Sequence, residues 1–353
     1  METSFVTTPQ RPGDALAFVL AAFNQQETGC VPLWGAIMNR PVYEFVLGAD
    51  LPDRSDGATL DQKLEMHSRV FRELGIDICR AQLWPPDKES TKKGETDWAE
   101  RTLDAKSIKD FRPEFPDEAA RKEWLAVARR QVEINSPHTV FAPTIHGPFC
   151  RTFEKLGFEE FCYAIADAPA EIDRLMDAYA EFNADRAQRL AACPEIPFVA
   201  ICDDIAYKGK TLASPKWMRT HWIAKLKTIV DPLKRAGKKV IYHSDGKMDV
   251  LIPDLIEIGV DGINPIEPIA GMDLAELKRD FGKDVTLIGG VDCSQLLPFG
   301  KPSEIRDEVK RLLDIGSPGG GFIIGDSSCV LPITPVKNLL AFYDTVHQYR
   351  IGR

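Results

Sequence analysis

The sequence predicts an α/β fold, a (β/α)8 TIM barrel forming one domain over residues 1–353. Three observations predict it: eight short apolar or β-branched runs, an amphipathic pattern after most of them, and no GxGxxG after the first run. The runs are VPLWGAI (31–37), IDICRAQLW (76–84), TVFAPTIHGP (139–148), FVAICDD (198–204), KVIYHSDG (239–246), DGINPIEP (261–268), VTLIGGVD (285–292) and GFIIGDSS (321–328). Each ends in polar or glycine-rich residues, as a buried parallel strand does on reaching a rim. A doubly wound sheet gives the same alternation, but eight runs without a dinucleotide fingerprint favour the barrel.

Helical patterns cover 61–74, 116–134, 157–192 (two helices broken near Pro169), 214–236, 249–258, 273–281, 302–314 and 334–348. SPKW at 214, MDLAEL at 272 and PSEI at 302 carry start signals, with Ser or Asp to cap and Pro for the first turn. The N-terminal extension 1–30 holds a further helix around 13–26 that caps the barrel floor. The charged stretch 85–115 is a long loop after strand two, of the length that functional lids have.

With 44% hydrophobic and 27% charged residues the chain can bury a large core, and a net charge of −9 excludes a phosphate backbone as partner. Small molecules are the expected ligands. The eight cysteines form no disulfide framework and read as reduced thiols. No secretory leader and no apolar run of bilayer length is found, so a cytoplasmic protein without membrane contact is expected.

Parallel barrels carry their chemistry at the strand C-termini. Those positions hold Asn39, Arg40, Gln82, His146, Asp203, Asp204, His243, Asp245, Glu267, Asp292, Asp326 and Cys329. Asp203 and Asp204 are adjacent, so in extended backbone only one faces the pocket, and the sequence does not say which. In HSDG, alternation puts His243 and Asp245 on one side and Gly246 permits a tight turn. They either order the loop or act as a ligand or acid/base pair. Cys329 follows the last strand as an inert buried thiol or a third ligand; His, Asp and Cys all suit zinc with an open position for substrate. Trp34, Trp84 and Phe149 near the rim either stack on an aromatic ligand or pack.

From 198 onward, CDDIAYKGKTLASPKWMR, HSDGKMDVLIPDLIEIGVDGINPIEPIAGMDLAELKRDFG, LIGGVDCSQLL and GGGFIIGDSS together resemble the uroporphyrinogen decarboxylase superfamily. The resemblance implies a (β/α)8 barrel that is either a metal-free decarboxylase of tetrapyrrole carboxylates or a zinc-dependent methyltransferase serving corrinoid proteins or coenzyme M. Decarboxylases of that family carry P-x-W-x-M-R-Q-A-G-R-Y, whose arginines bind substrate carboxylates. Here VPLWGAIMNRPVYEF keeps only Arg40 as a counterpart. An octacarboxylate without matching cations is costly to desolvate, which disfavours that substrate.

The methyltransferase pattern is H-x-C after strand five and a Cys after strand eight, in G-C-x-I-P-P-x-T-P. His243 matches the first ligand and Cys329, followed by LPITP, the last; Asp245 replaces the middle cysteine, with Glu267 as an alternative. The resemblance thus implies a metal set drawn from His243, Cys329, Glu267 and Asp245. It implies a zinc-assisted methyltransferase that demethylates a small O-methyl, methoxylated aromatic substrate and passes the methyl to a corrinoid protein.

In that reading Asp203, Asp204, Asp245 and His146 are the catalytic candidates, and Arg40, Trp34, Trp84, Phe149 and Asn39 the substrate-binding ones. The alternative is a metal-independent decarboxylase of a smaller carboxylic substrate, with Asp203 or Asp204 as acid/base and Arg40 as anchor. Homodimerisation is implied by resemblance alone.

Overall fold

A computed structural model describes residues 14–48, 59–80 and 107–351. In chain order its strands are β1 (Trp34–Gly35), β2 (Ile78–Arg80), β3 (Val140–Ala142), β4 (Thr144–His146), β5 (Phe198–Cys202), β6 (Ala206–Tyr207), β7 (Lys210–Thr211), β8 (Lys239–His243), β9 (Gly262–Ile266), β10 (Thr286–Val291) and β11 (Phe322–Asp326). Every one of the eight predicted runs contains a strand. The run 139–148 contains two, because Pro143 has no N–H to give to a ladder. Trp84 and residues 85–106 lie outside the described residues.

The chain divides into two compact units. The first comprises the described residues up to 80, together with 130–142 and 261–351. Here β9, β10 and β11 run parallel, as do β1, β2 and β3, and the bridges Leu33↔Ile324 and Ile37↔Val330 set β11 against β1. Within this unit the last strand therefore neighbours the first, an order that a doubly wound sheet does not provide. Gly325 makes this approach possible, since a Cβ there would lie 2.7 Å from Cβ of Trp34.

The helix Ala15–Phe23 is the predicted floor helix. Asp14 caps it, accepting from Ala17 N–H at 2.7 Å, and the Phe23 ring lies against Gly262 at the start of β9. The C-terminal helix Val336–Ile351 sends Arg350 into the same end of the unit. Its guanidinium donates to the Val31 carbonyl at 2.8 Å and to the Asp77 carboxylate, which also accepts from Leu33 N–H at 2.8 Å. The Arg350 and Asp77 side chains are 1% and 0% exposed, so this ion pair is fully desolvated.

The second unit comprises 107–129 and 143–260 among the described residues. Strands β4, β5 and β8 lie side by side, parallel, with β6 and β7 forming an antiparallel hairpin. Helices Phe158–Asp167 and Pro169–Ala191 meet where the break near Pro169 was expected. The predicted helix 214–236 is in fact two, Pro215–His221 and Ile223–Arg235, interrupted at Trp222. Ser214 caps the first as expected, accepting from Trp217 N–H at 3.2 Å. Among the described residues three α-helices escaped the periodicity reading: Arg40–Leu47 and the short Leu296–Phe299 in the first unit, and Pro148–Leu156 in the second.

Candidate functional site

The registers His146↔Cys202 and Cys202↔His243 place these three residues in one row at the C-terminal ends of β4, β5 and β8, on one face of the sheet. Two residues further along, alternation adds Asp204 and Asp245 to that face. The structure brings ligand atoms of Asp204, His243 and Asp245 within 4.8 Å of one another. His243 Nε2 lies 3.7 Å from Asp245 Oδ1, and Asp245 N–H donates to Asp204 Oδ1 at 3.0 Å. His243 is buried, while the Asp245 side chain is 46% exposed, so the group spans the boundary from core to solvent.

The HSDG segment holds this geometry. Ser244 Oγ accepts from Ile205 N–H at 3.0 Å and donates to the Asp245 carbonyl at 2.9 Å. Gly246 sits at φ +91, and a Cβ there would lie 2.4 Å from the Tyr207 backbone nitrogen. Only glycine suits both the left-handed backbone and the contact with the hairpin. The turn therefore sets the spacing between Asp245 and the residues that follow β5.

The structure also separates the two adjacent aspartates. Asp204 is the one that joins His243. Asp203 points to the opposite face, is fully buried, and accepts from Cys150 N–H and the Trp222 indole N–H, each at 2.7 Å. Gly147 beside it has no room for a side chain, since a Cβ would lie 2.1 Å from Asp203 Cγ. Burial pushes the Asp203 carboxyl up to about 7, against the lowering pull of those donors. Of the two aspartates that the sequence left open, Asp203 is therefore the one outside the cluster, and it ties β5 to the helices behind it, because both donors come from that layer.

Other candidates are likewise placed by their partners. Asn39 was assigned to substrate, but its Oδ1 caps the helix Arg40–Leu47 through Val42 N–H (3.0 Å). Its Nδ2 donates to the carbonyls of Leu331 (2.7 Å) and Thr334 (2.9 Å), leaving no edge for a ligand. Arg40, read as a carboxylate anchor, pairs with Glu44 one turn along the helix at 2.7 Å, both partly exposed. Phe149 is 0% exposed and packs edge-on against Phe153, Phe161 and Trp217; it is core, not a stacking surface.

Trp34 is fully buried in β1, with its indole N–H unpartnered. Asp292 accepts from the N–H groups of Ser294, Gln295 and Leu296, capping a turn. Glu267 and Cys329 belong to the first unit, whereas the Asp204–His243–Asp245 group lies wholly in the second. Cys202 was missed; the available signal was its place at the end of the run FVAICDD, one residue before the aspartates.

Two carboxylates and one imidazole are hard to borderline donors, and their charges offset those of a divalent ion. The donor set fits zinc without a thiolate, and it includes Asp204, which the family resemblance had not placed in the metal set.

Asp326, at the end of β11, is fully buried; its Oδ2 accepts from Ala36 N–H at 3.1 Å and its Oδ1 has no partner. Burial pushes this carboxyl up to about 7, opposed by the Ala36 N–H and Arg80. A carboxyl with a raised folded pKa holds its proton more tightly when folded, so its contribution to stability falls as pH rises from its unfolded value towards 7. Asp326→Asn mimics the protonated form. The variant should gain stability relative to the parent by about 1.4 kcal/mol per pH unit over that window, read by urea denaturation at pH 5 and pH 8. A pH-independent difference would show that Asp326 is ionised in the folded protein throughout.

Parallel strands alternating with helices, with a cluster of carboxylates and imidazole at the strand ends, define a protein of the α/β class. The uroporphyrinogen decarboxylase (URO-D) family model matches residues 114–349, more than half of the chain. The chain belongs to the uroporphyrinogen decarboxylase family and is an enzyme of that superfamily.

A uroporphyrinogen decarboxylase from Actinobacillus succinogenes is 37% identical over 79 residues, a match that spans only 22% of each chain. Among solved structures, a methyltransferase from Methanosarcina mazei shares the fold at TM-score 0.69 and 16% identity, covering 96% of this chain and 99% of that one. A B12-independent methionine synthase from Shewanella sp. W3-18-1 gives TM-score 0.51 and 13% identity, covering 82% and 86%. The barrel class expected from the sequence is thus the class of its relatives. No helix among the described residues is long and apolar enough to cross a membrane.

Proposed function

We propose that the protein is a zinc-assisted methyltransferase that demethylates a small methoxylated aromatic compound and hands the methyl group to a corrinoid protein. The observation that carries this reading is the grouping of Asp204, His243 and Asp245 at the strand ends. The fold shared end to end with a methyltransferase supports it.

Asp204, His243 and Asp245 would hold the ion, which supplies Lewis acidity toward an ether oxygen. The chain's own residues do the rest. His146, in the same row on β4, would exchange a proton with the departing oxygen, and the half-exposed Asp245 would leave the cluster open to the substrate. In the transfer the methyl carbon's bond to oxygen breaks with its electron pair left on oxygen. A reduced corrinoid would supply the electron pair that accepts the methyl group, so no outside oxidant would be needed.

A second reading, metal-independent decarboxylation, is supported by the local match to a uroporphyrinogen decarboxylase. One assay separates the two. Zinc-loaded protein, cob(I)alamin and 2-methoxyphenol should give methylcobalamin and catechol in equal amounts, with chelator abolishing both. Carbon dioxide release from a small aromatic carboxylate, insensitive to chelator, would establish the second reading instead. Neither product would overturn the methyltransferase proposal.

A further inference from the structure

We infer that Thr144 recognises an oxygen atom of the bound small molecule, as a specificity-determining residue on the floor of the site. The inference rests on the proposed function for the class of ligand, and on three observations for the residue. Thr144 is only 4% exposed, and its hydroxyl has no hydrogen-bond partner. It lies on β4 two residues before His146, so both side chains share the face that carries Cys202 and His243, with Thr144 one pleat deeper. Its neighbours in register, Ala200 on β5 and Ile241 on β8, are fully buried and apolar, and offer the hydroxyl nothing.

Other buried threonines show what the fold does when a hydroxyl is purely structural. Those of Thr139, Thr152, Thr211 and Thr345 each donate to a backbone carbonyl at 2.6–2.8 Å. Thr334 also lacks a partner, but it lies in the first unit, away from any strand. A strand hydroxyl taken out of water and left unpaired destabilises the free protein, and the penalty is relieved when a ligand oxygen arrives. A phenolic or carbonyl oxygen carried next to a methoxy group would suit this position, with the methoxy group held one pleat higher in the His146–His243 row.

Thr144→Val keeps the shape and removes the hydroxyl; Thr144→Ser keeps the hydroxyl. In ligand-free protein, Thr144→Val should raise the melting temperature by about 2 °C, because an unpaired polar group is removed. A fall in melting temperature would mean that the hydroxyl is already satisfied, and would overturn the assignment. With zinc-loaded protein, calorimetry should show 2-methoxyphenol binding about tenfold more weakly to Thr144→Val and within twofold of the parent to Thr144→Ser. Equal affinity for parent and Thr144→Val would also overturn it. If the parent binds no 2-methoxyphenol, the methoxyarene reading fails; equal affinity of parent and Thr144→Val for a ligand that the parent does bind is what overturns the role of Thr144 itself.

Discussion

His243→Ala and Asp204→Ala should each weaken zinc binding by at least about a hundredfold, measured by equilibrium dialysis against a chromogenic chelator. Losing a partner outside the coordination shell costs 10–100-fold, and a direct ligand costs no less. The two replacements act for different reasons. His243 is buried at the end of β8 and is the group's one nitrogen donor, so its loss leaves only carboxylates. Asp204 contributes an oxygen within 4.8 Å of the other two ligands and also accepts from Asp245 N–H, so its loss removes a donor and loosens the HSDG turn. Asp203→Ala is the contrasting case: it should lower stability by freeing the Cys150 and Trp222 N–H groups, with zinc affinity changed far less. Equal zinc loss in the Asp203 and Asp204 variants would mean that the effect is general unfolding.

Arg350→Met should cost about 3–5 kcal/mol of stability, because removing one partner of a buried pair leaves the other charge uncompensated. Asp77 is 0% exposed and would lose its charge partner, while Val31 would lose the guanidinium that holds the C-terminal helix. Pairing Arg350→Met with Asp77→Leu should recover most of the loss, since an apolar replacement of both partners leaves no stranded charge. Urea denaturation of the single and double variants reads both effects. A loss under about 1 kcal/mol for Arg350→Met would place this pair in the range of solvent-screened surface bridges.

The parts of the fold that the sequence made legible are those written in local pattern. Parallel strands buried on both faces become continuous apolar runs, which is why all eight were found, and Ser214 and Asp273 cap their helices as their motifs suggest. The His243–Asp245 pairing was legible for the same reason, since a period of two puts them on one face.

What depended on three-dimensional partners was not legible. Nothing local tells Asp203 from Asp204; the choice is made by Trp222 and the start of the helix Pro148–Leu156, which claim Asp203 and leave Asp204 to the cluster. Asn39 looked like a rim residue because its carbonyl partners lie nearly three hundred residues away, at Leu331 and Thr334. Cys202 was passed over for the aspartates beside it, though the strand register sets it between the two histidines. The metal set that the family resemblance implied drew on Glu267 and Cys329 beside His243 and Asp245, whereas the close group adds Asp204, two residues beyond the end of β5.

Zinc-edge X-ray absorption of the loaded protein tests the central assignment most directly. Ligation by Asp204, His243 and Asp245 predicts nitrogen and oxygen neighbours at about 2.0–2.2 Å and no sulfur. A sulfur shell at about 2.3 Å, from Cys329 or Cys202, would contradict it.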